Sequence, residues 1–312
     1  MKLPECSHSS SILLLFTSLV QPSATRYYAA LSDSYAAGDG AGSPRLPPHR
    51  EFGCGRFDGA YPVLLANNFS LLIPPSGFTN VACGGASSTS VRTTQVPYIG
   101  DADFVTVTVG GNEIDFFVVL NACVHQWFPG GDCDAEIVRA REAVQAGTLL
   151  RRYGEMIAAA KKTMKDDARL LVTGYARFFN SQTTQCDHVS FSRRDPDRVL
   201  SREMRVQFNA IVGMLNDVIE ASAEAHGASY VDIDQVFDGH RFCEEGVVEP
   251  SSTNQTWFFN LEYPQPRTAP SAGQHVLPGP IKDYLDMTRA FHPNALGHKA
   301  IAEKIAQLIL NR

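Results

Sequence analysis

Four short stretches carry the residues able to do chemistry: "SDSYAAGDGAG" from Ser32, "CGGASS" from Cys83, "GGNE" from Gly110 and "FHPN" from Phe291. A hydroxyl becomes a nucleophile when a base stands ready to take its proton. The negative oxygen that then develops on a carbonyl needs donors already aimed at it. Ser34 offers such a hydroxyl, with Ser32 as a rival, and His292 offers the base. Gly84 and Gly85 let a backbone N–H approach a substrate oxygen with no side chain in the way, and Asn112 adds an amide donor. The glycines after Ser34 also admit a second chemistry, a phosphate cradle at a helix N-terminus. Gly38, Gly40 and Gly42 come too late and at the wrong spacing for G-x-G-x-x-G, and no G-K-[ST] tripeptide occurs. The G-x-S-x-G elbow is missing too, because Ser32 and Ala36 stand two residues from Ser34.

These residues must be positioned by surrounding elements. "RYYAAL" reads as a first strand and "FVTVTVGG", 104–111, as a buried one rich in β-branched residues. "ARLLVTGY", 168–175, and "ASYVDID", 228–234, read as two more. Between them, helical spacing runs from Ala135 to Met164 and from Leu200 to Ala225, and a last helix follows Pro293. Strands alternating with helices imply an α/β fold, a mostly parallel sheet covered on both faces. Sites in such folds lie at the carboxyl ends of strands, where Ser34 falls. The exception is the proline-rich stretch 243–291, which includes "TWFFNLEYPQP". We read it as a long wrapping loop whose Trp257, Phe258, Phe259 and Leu261 pack on the domain, with the substrate mouth as the alternative.

The chain has 312 residues and a formal charge of −6, with 44% apolar and 19% charged residues. The acidic balance argues against a nucleic-acid partner, and no run of like charges suggests an anionic membrane surface. The N-terminus has one lysine, an apolar run from Ile12 to Val20 and small residues around Ala24. We read 1–24 as a secretory signal peptide, the apolar run being too short to span a bilayer, and 25–312 as one domain. Export removes Cys6 and leaves Cys54, Cys83, Cys123, Cys133, Cys186 and Cys243, an even set suited to three disulfides. Zinc on Cys186, His188, His240 and Cys243 is the competing reading, disfavoured by the spacing and the compartment. Asn68 and Asn254 head sequons compatible with glycosylation.

Together the four blocks resemble the SGNH (GDSL-type) hydrolase family over essentially the whole mature chain. The family's G-D-S matches "SDS" and makes Ser34 the nucleophile; its glycine, G-x-N-D and histidine blocks match Gly85, "GGNE" with Asn112, and His292. "GYARFF" and "GHRFCE" resemble its secreted three-disulfide branch, shared by fungal and actinobacterial members. The resemblance implies a three-layer α/β/α sandwich with a central, mostly parallel five-stranded sheet, flavodoxin-like in topology. It also implies an oxyanion hole from the Ser34 and Gly85 N–H groups and the Asn112 amide, and pairing as Cys54–Cys83, Cys123–Cys133 and Cys186–Cys243. Three positions depart from the pattern. Ser32 replaces a glycine, which requires a negative φ there. Glu113 replaces an aspartate. Arg289 stands where the D-x-x-H acid falls, so its main-chain carbonyl is expected to hold the His292 ring, with Asp286 as the alternative.

The expected activity is a secreted esterase or lipase working through an acyl-enzyme, with no metal or organic cofactor and a small-molecule, lipid or polysaccharide ester as substrate. A monomer without stable membrane insertion is expected. An esterase for acylated carbohydrate and a non-catalytic binding protein on the same fold are the rival readings. A flavodoxin-like cofactor protein is disfavoured because the phosphate loop is missing.

Overall fold

Two mostly apolar runs, Tyr28–Ser32 (β1) and Phe104–Thr108 (β3), are buried along their whole length, as strands covered on both faces must be. The computed structural model describes residues 25–44, 54–192, 194–249, 255–260 and 288–311. Three further strands, Phe78–Asn80 (β2), Arg169–Thr173 (β4) and Ser229–Val231 (β5), complete a sheet of order β2-β1-β3-β4-β5. Every pairing is parallel, and β1 meets β3 in register from Tyr28↔Phe104 to Ser32↔Thr108. Buried Tyr28 stacks between Phe78 and Phe104, with ring centroids 5.1 and 4.6 Å away.

Helices α1 (Ser34–Ala37), α2 (Tyr61–Ala66), α3 (Ser88–Ser90) and α4 (Phe116–Leu120) follow the first three strands. The longer α5 (Cys133–Gln145), α6 (Thr148–Thr163) and α7 (Arg202–Ala225) pack against one another, while α2 packs against α8 (Ala295–Leu310). With the sheet between them these groups make the three-layer sandwich. The single helix expected over 135–164 is two. Its apolar face is real, since Ile137, Val144, Leu149, Tyr153 and Ile157 are all buried, but Gly147 takes φ +64 and breaks the hydrogen-bond ladder.

The three disulfides pair in sequence order, Cys54–Cys83, Cys123–Cys133 and Cys186–Cys243. The zinc reading therefore falls: both cysteines are bonded, and His240 stacks on Trp257 at 3.6 Å. The Cys123–Cys133 loop holds His125, which is 1% exposed, flat against Trp127 at 4.1 Å and edge-on to Phe291 at 5.1 Å.

In the aromatic segment, Phe258 is buried against Phe237, at 4.7 Å, and Phe178, at 5.4 Å. Trp257 and Phe258 thus pack on the domain. Residues 1–24, Asn254, Leu261 and Asp286 lie outside the described residues. Asn68 sits in a turn where its side-chain oxygen accepts from the Ser70 N–H at 3.0 Å. Among the described residues no helix is long and apolar enough to cross a membrane.

Candidate active site

Strand β1 ends at Ser32, and Asp33 turns the chain into α1 by capping it: its carboxylate accepts from the Tyr35 N–H at 2.9 Å. Ser34 is therefore the first helical residue, and its N–H belongs to the group that a helix start leaves without an internal acceptor. Ser32 cannot compete with it. Its side chain is fully buried, donates to the Thr108 carbonyl and accepts from the Ala36 N–H at 3.2 Å. Its backbone N–H and carbonyl are both bonded to the Gln95 amide, at 2.7 and 2.8 Å. Ser32 is not among the residues with positive φ, so the serine fits where the family pattern has glycine.

His292 reaches Ser34 from 258 residues away, with Nε2 2.8 Å from Oγ. The segment 257–259 holds it there through backbone pairing. The Phe259 N–H donates to the His292 carbonyl at 2.8 Å, and the Phe291 N–H donates to the Phe259 carbonyl at 2.9 Å. Asn294 then starts α8 by accepting from the Leu296 and Gly297 N–H groups. Two carbonyls face the His292 ring, that of Arg289 and that of its neighbour Ala290. Nδ1 donates to the Ala290 carbonyl at 3.3 Å, while the Arg289 carbonyl accepts the His292 backbone N–H at 2.9 Å and lies near enough to favour the protonated ring. The Arg289 guanidinium lies over the Phe259 ring at 5.4 Å. With Nδ1 protonated, Nε2 presents its lone pair to Ser34. Burial in the apolar cleft pushes the imidazole down to about 4, against the weaker opposing pull of the Ala290 and Arg289 carbonyls.

Asn112 follows β3 and lines the same cleft as Ser34 and His292. One of its amide hydrogens goes to the Ala86 carbonyl at 2.9 Å, which ties it to the Gly84–Gly85 turn. Gly85 has φ +76, a conformation that side chains disfavour, and a Cβ built there meets nothing within 4 Å. The turn is fixed from below by Cys54–Cys83 and by the Gly84 N–H donating to the Cys54 carbonyl at 2.9 Å. Glu113 keeps a local role, accepting from the Ser88 N–H at the start of α3.

Two features of the site escaped the sequence reading. The first is the cleft itself, about 680 Å³ of empty space with its mouth included, walled by Ile114, Phe116, Leu120, Val212, Leu215 and Phe291. The run "IDFFVVL" just after Asn112 was the available signal. The second is a buried pair: Asp33 is 2% exposed and accepts from the Tyr175 hydroxyl at 2.6 Å. Burial pushes the Asp33 carboxyl up to about 7, although the hydrogen bonds from Tyr175 and Tyr35 pull the other way.

A parallel α/β sheet with a serine–histidine contact beside an apolar cleft defines a class, the ester hydrolases built on this sandwich. The model of the GDSL-like lipase/acylhydrolase family matches residues 33–300, and the chain belongs to that family. It is 31% identical to lipase 1 of Streptomyces coelicolor over 224 residues, which covers 72% of this chain and 75% of that one. It is 27% identical to lipase 2 of the same species over 91% of this chain and 85% of the relative. Among solved structures it resembles phospholipase A1 from Streptomyces albidoflavus, with a TM-score of 0.67, and the extracellular lipase from Streptomyces rimosus, with 0.64. Each is 26% identical, and each comparison covers 91% of this chain and 99% of the other. The protein is a hydrolase acting on ester bonds.

Proposed function

We propose that the chain is an exported serine lipase or esterase that cleaves acyl esters through an acyl-enzyme on Ser34. The observation that carries this is the 2.8 Å contact between Ser34 Oγ and His292 Nε2 at the mouth of an apolar cleft. His292 takes the Ser34 proton as Oγ attacks the ester carbonyl, and a tetrahedral oxyanion forms. The Ser34 and Gly85 N–H groups and the Asn112 amide hold that charge. Collapse breaks the bond to the alcohol oxygen, which leaves with the proton from His292. Water then adds to the acyl-enzyme by the same route and releases the acid.

The aliphatic and aromatic wall favours an acyl chain over a bare acetyl group, because apolar surface buried against it contributes to binding. The names of the similar proteins, lipases and a phospholipase A1, point the same way. Export is supported by the apolar run 12–20, the three disulfides and the extracellular origin printed for the Streptomyces rimosus relative.

A fluorophosphonate probe together with p-nitrophenyl esters from C2 to C16 tests the reading. Labelling of the parent but not of Ser34→Ala, with turnover highest at C4 or longer, is expected. Turnover confined to C2 would instead indicate a carbohydrate acetyl esterase. A parent that neither labels nor turns over would indicate a binding protein.

A further inference from the structure

We infer that Tyr175 is the positioning residue of the oxyanion hole, its hydroxyl coupling the turn that carries Ser34 to the loop that carries Asn112. The phenol donates to Asp33 Oδ2 at 2.6 Å and accepts the Gly111 N–H at 3.2 Å. On one side, the other Asp33 oxygen caps the helix that begins at Ser34. On the other, Gly111 is bonded in sequence to Asn112, whose amide reaches the Ala86 carbonyl beside Gly85. One hydroxyl thus stands between all three segments that supply oxyanion donors.

Tyr175 is itself held against rotation. Asn216 on α7 accepts the Tyr175 backbone N–H and donates to its carbonyl, both at 2.8 Å. Its ring meets the Tyr35 ring edge-on at 5.0 Å. A two-point clamp from a long helix, a fixed ring and a doubly bonded hydroxyl are what a rigid support for donors requires. The alternative is that the ring only fills space and the hydroxyl is incidental. Burial argues against that. Without the phenol, Asp33 stays buried with one acceptor oxygen unmatched, and the Gly111 N–H loses its partner, so both turns shift to find others. Displacements well under 1 Å at such donors lower turnover, since a misplacement of about 1 Å can cost about 100-fold.

Tyr175→Phe keeps the ring and removes only the hydroxyl. The inference rests on Ser34 as nucleophile, so active sites are first counted by fluorophosphonate labelling taken to completion. With p-nitrophenyl butyrate and kcat expressed per labelled site, kcat is expected to fall about 30-fold with KM within twofold. Asn216→Ala, which loosens the clamp but leaves the hydroxyl, is expected to lower kcat in the same direction by a smaller factor. A general loss of packing would lower the labelled fraction and the melting temperature without this split. The inference is overturned if Tyr175→Phe keeps kcat within twofold of the parent, or if its loss lies in KM. If Tyr175→Phe does not fold, an unchanged kcat in Asn216→Ala overturns it. A parent that fails to label would instead remove the nucleophile assignment, and the coupling with it.

Discussion

Lowering the pH tests a histidine that is held by carbonyl oxygen and not by a carboxylate. Catalysis needs the neutral imidazole, so activity is lost as His292 protonates. A free imidazole titrates near 6.5 and would be about 97% protonated at pH 5. With His292 pushed down to about 4, only about 9% carries the proton there. The two cases differ about thirtyfold in the fraction of competent enzyme at pH 5. The cause is local: the ring loses solvation in the cleft, and the Ala290 and Arg289 carbonyls stabilise the cation less than a buried aspartate would. The assay is kcat/KM for p-nitrophenyl butyrate from pH 4 to 9 at constant ionic strength, which reports the free enzyme. Asp33, with its carboxyl near 7, titrates inside this range but is not the base, and Asp33→Asn removes its step. Asp33→Asn, which lacks that step, is expected to retain most of its own plateau at pH 5. A one-proton loss centred between 6 and 7 in both proteins would refute the reasoning.

Asn112→Ala removes the proposed oxyanion donor together with its hold on the Ala86 carbonyl, so kcat should drop by about 10²–10³ with little change in KM. Steady-state kinetics on a short-chain ester decides it, and unchanged turnover would remove the amide from the mechanism. His125 is buried, and burial pushes it down to about 3, below its unfolded value near 6.5. Its contribution to stability is therefore present above pH 6.5 and lost as the pH falls toward 3, at about 1.4 kcal/mol per pH unit. His125→Phe keeps a ring on Trp127 and removes the titration. Between pH 7 and 5 the parent should lose about 2 kcal/mol more than the variant in urea unfolding. Equal losses would count against the assignment.

Much of the candidate site was legible because its residue types fall in rare local patterns. Ser34 after an apolar strand, Gly85 in a Gly-Gly turn and Asn112 after a buried strand each follow a strand of the parallel sheet, and His292 stands just before a helix. What stayed hidden depends on contacts that spacing does not encode. That the Ala290 carbonyl faces the His292 ring beside that of Arg289 follows from how one turn closes. The Asp33–Tyr175 bond spans 142 residues, and nothing in "GYARFF" says that its tyrosine meets a carboxylate. The break at Gly147 shows the opposite limit. The apolar period continues through 135–164 because both helices face one core, and only the backbone freedom of a single glycine divides them.

The backbone pairing of residues 257–259 with 291–294 has a consequence for the order of events during synthesis. Ser34 is made 258 residues before the imidazole that meets it, and that imidazole must dock on a segment made shortly before. A polypeptide that has not yet reached His292 therefore lacks the contact that the proposed mechanism requires of Ser34. On the proposed mechanism, ester cleavage begins only once residues 291–294 are seated on 257–259.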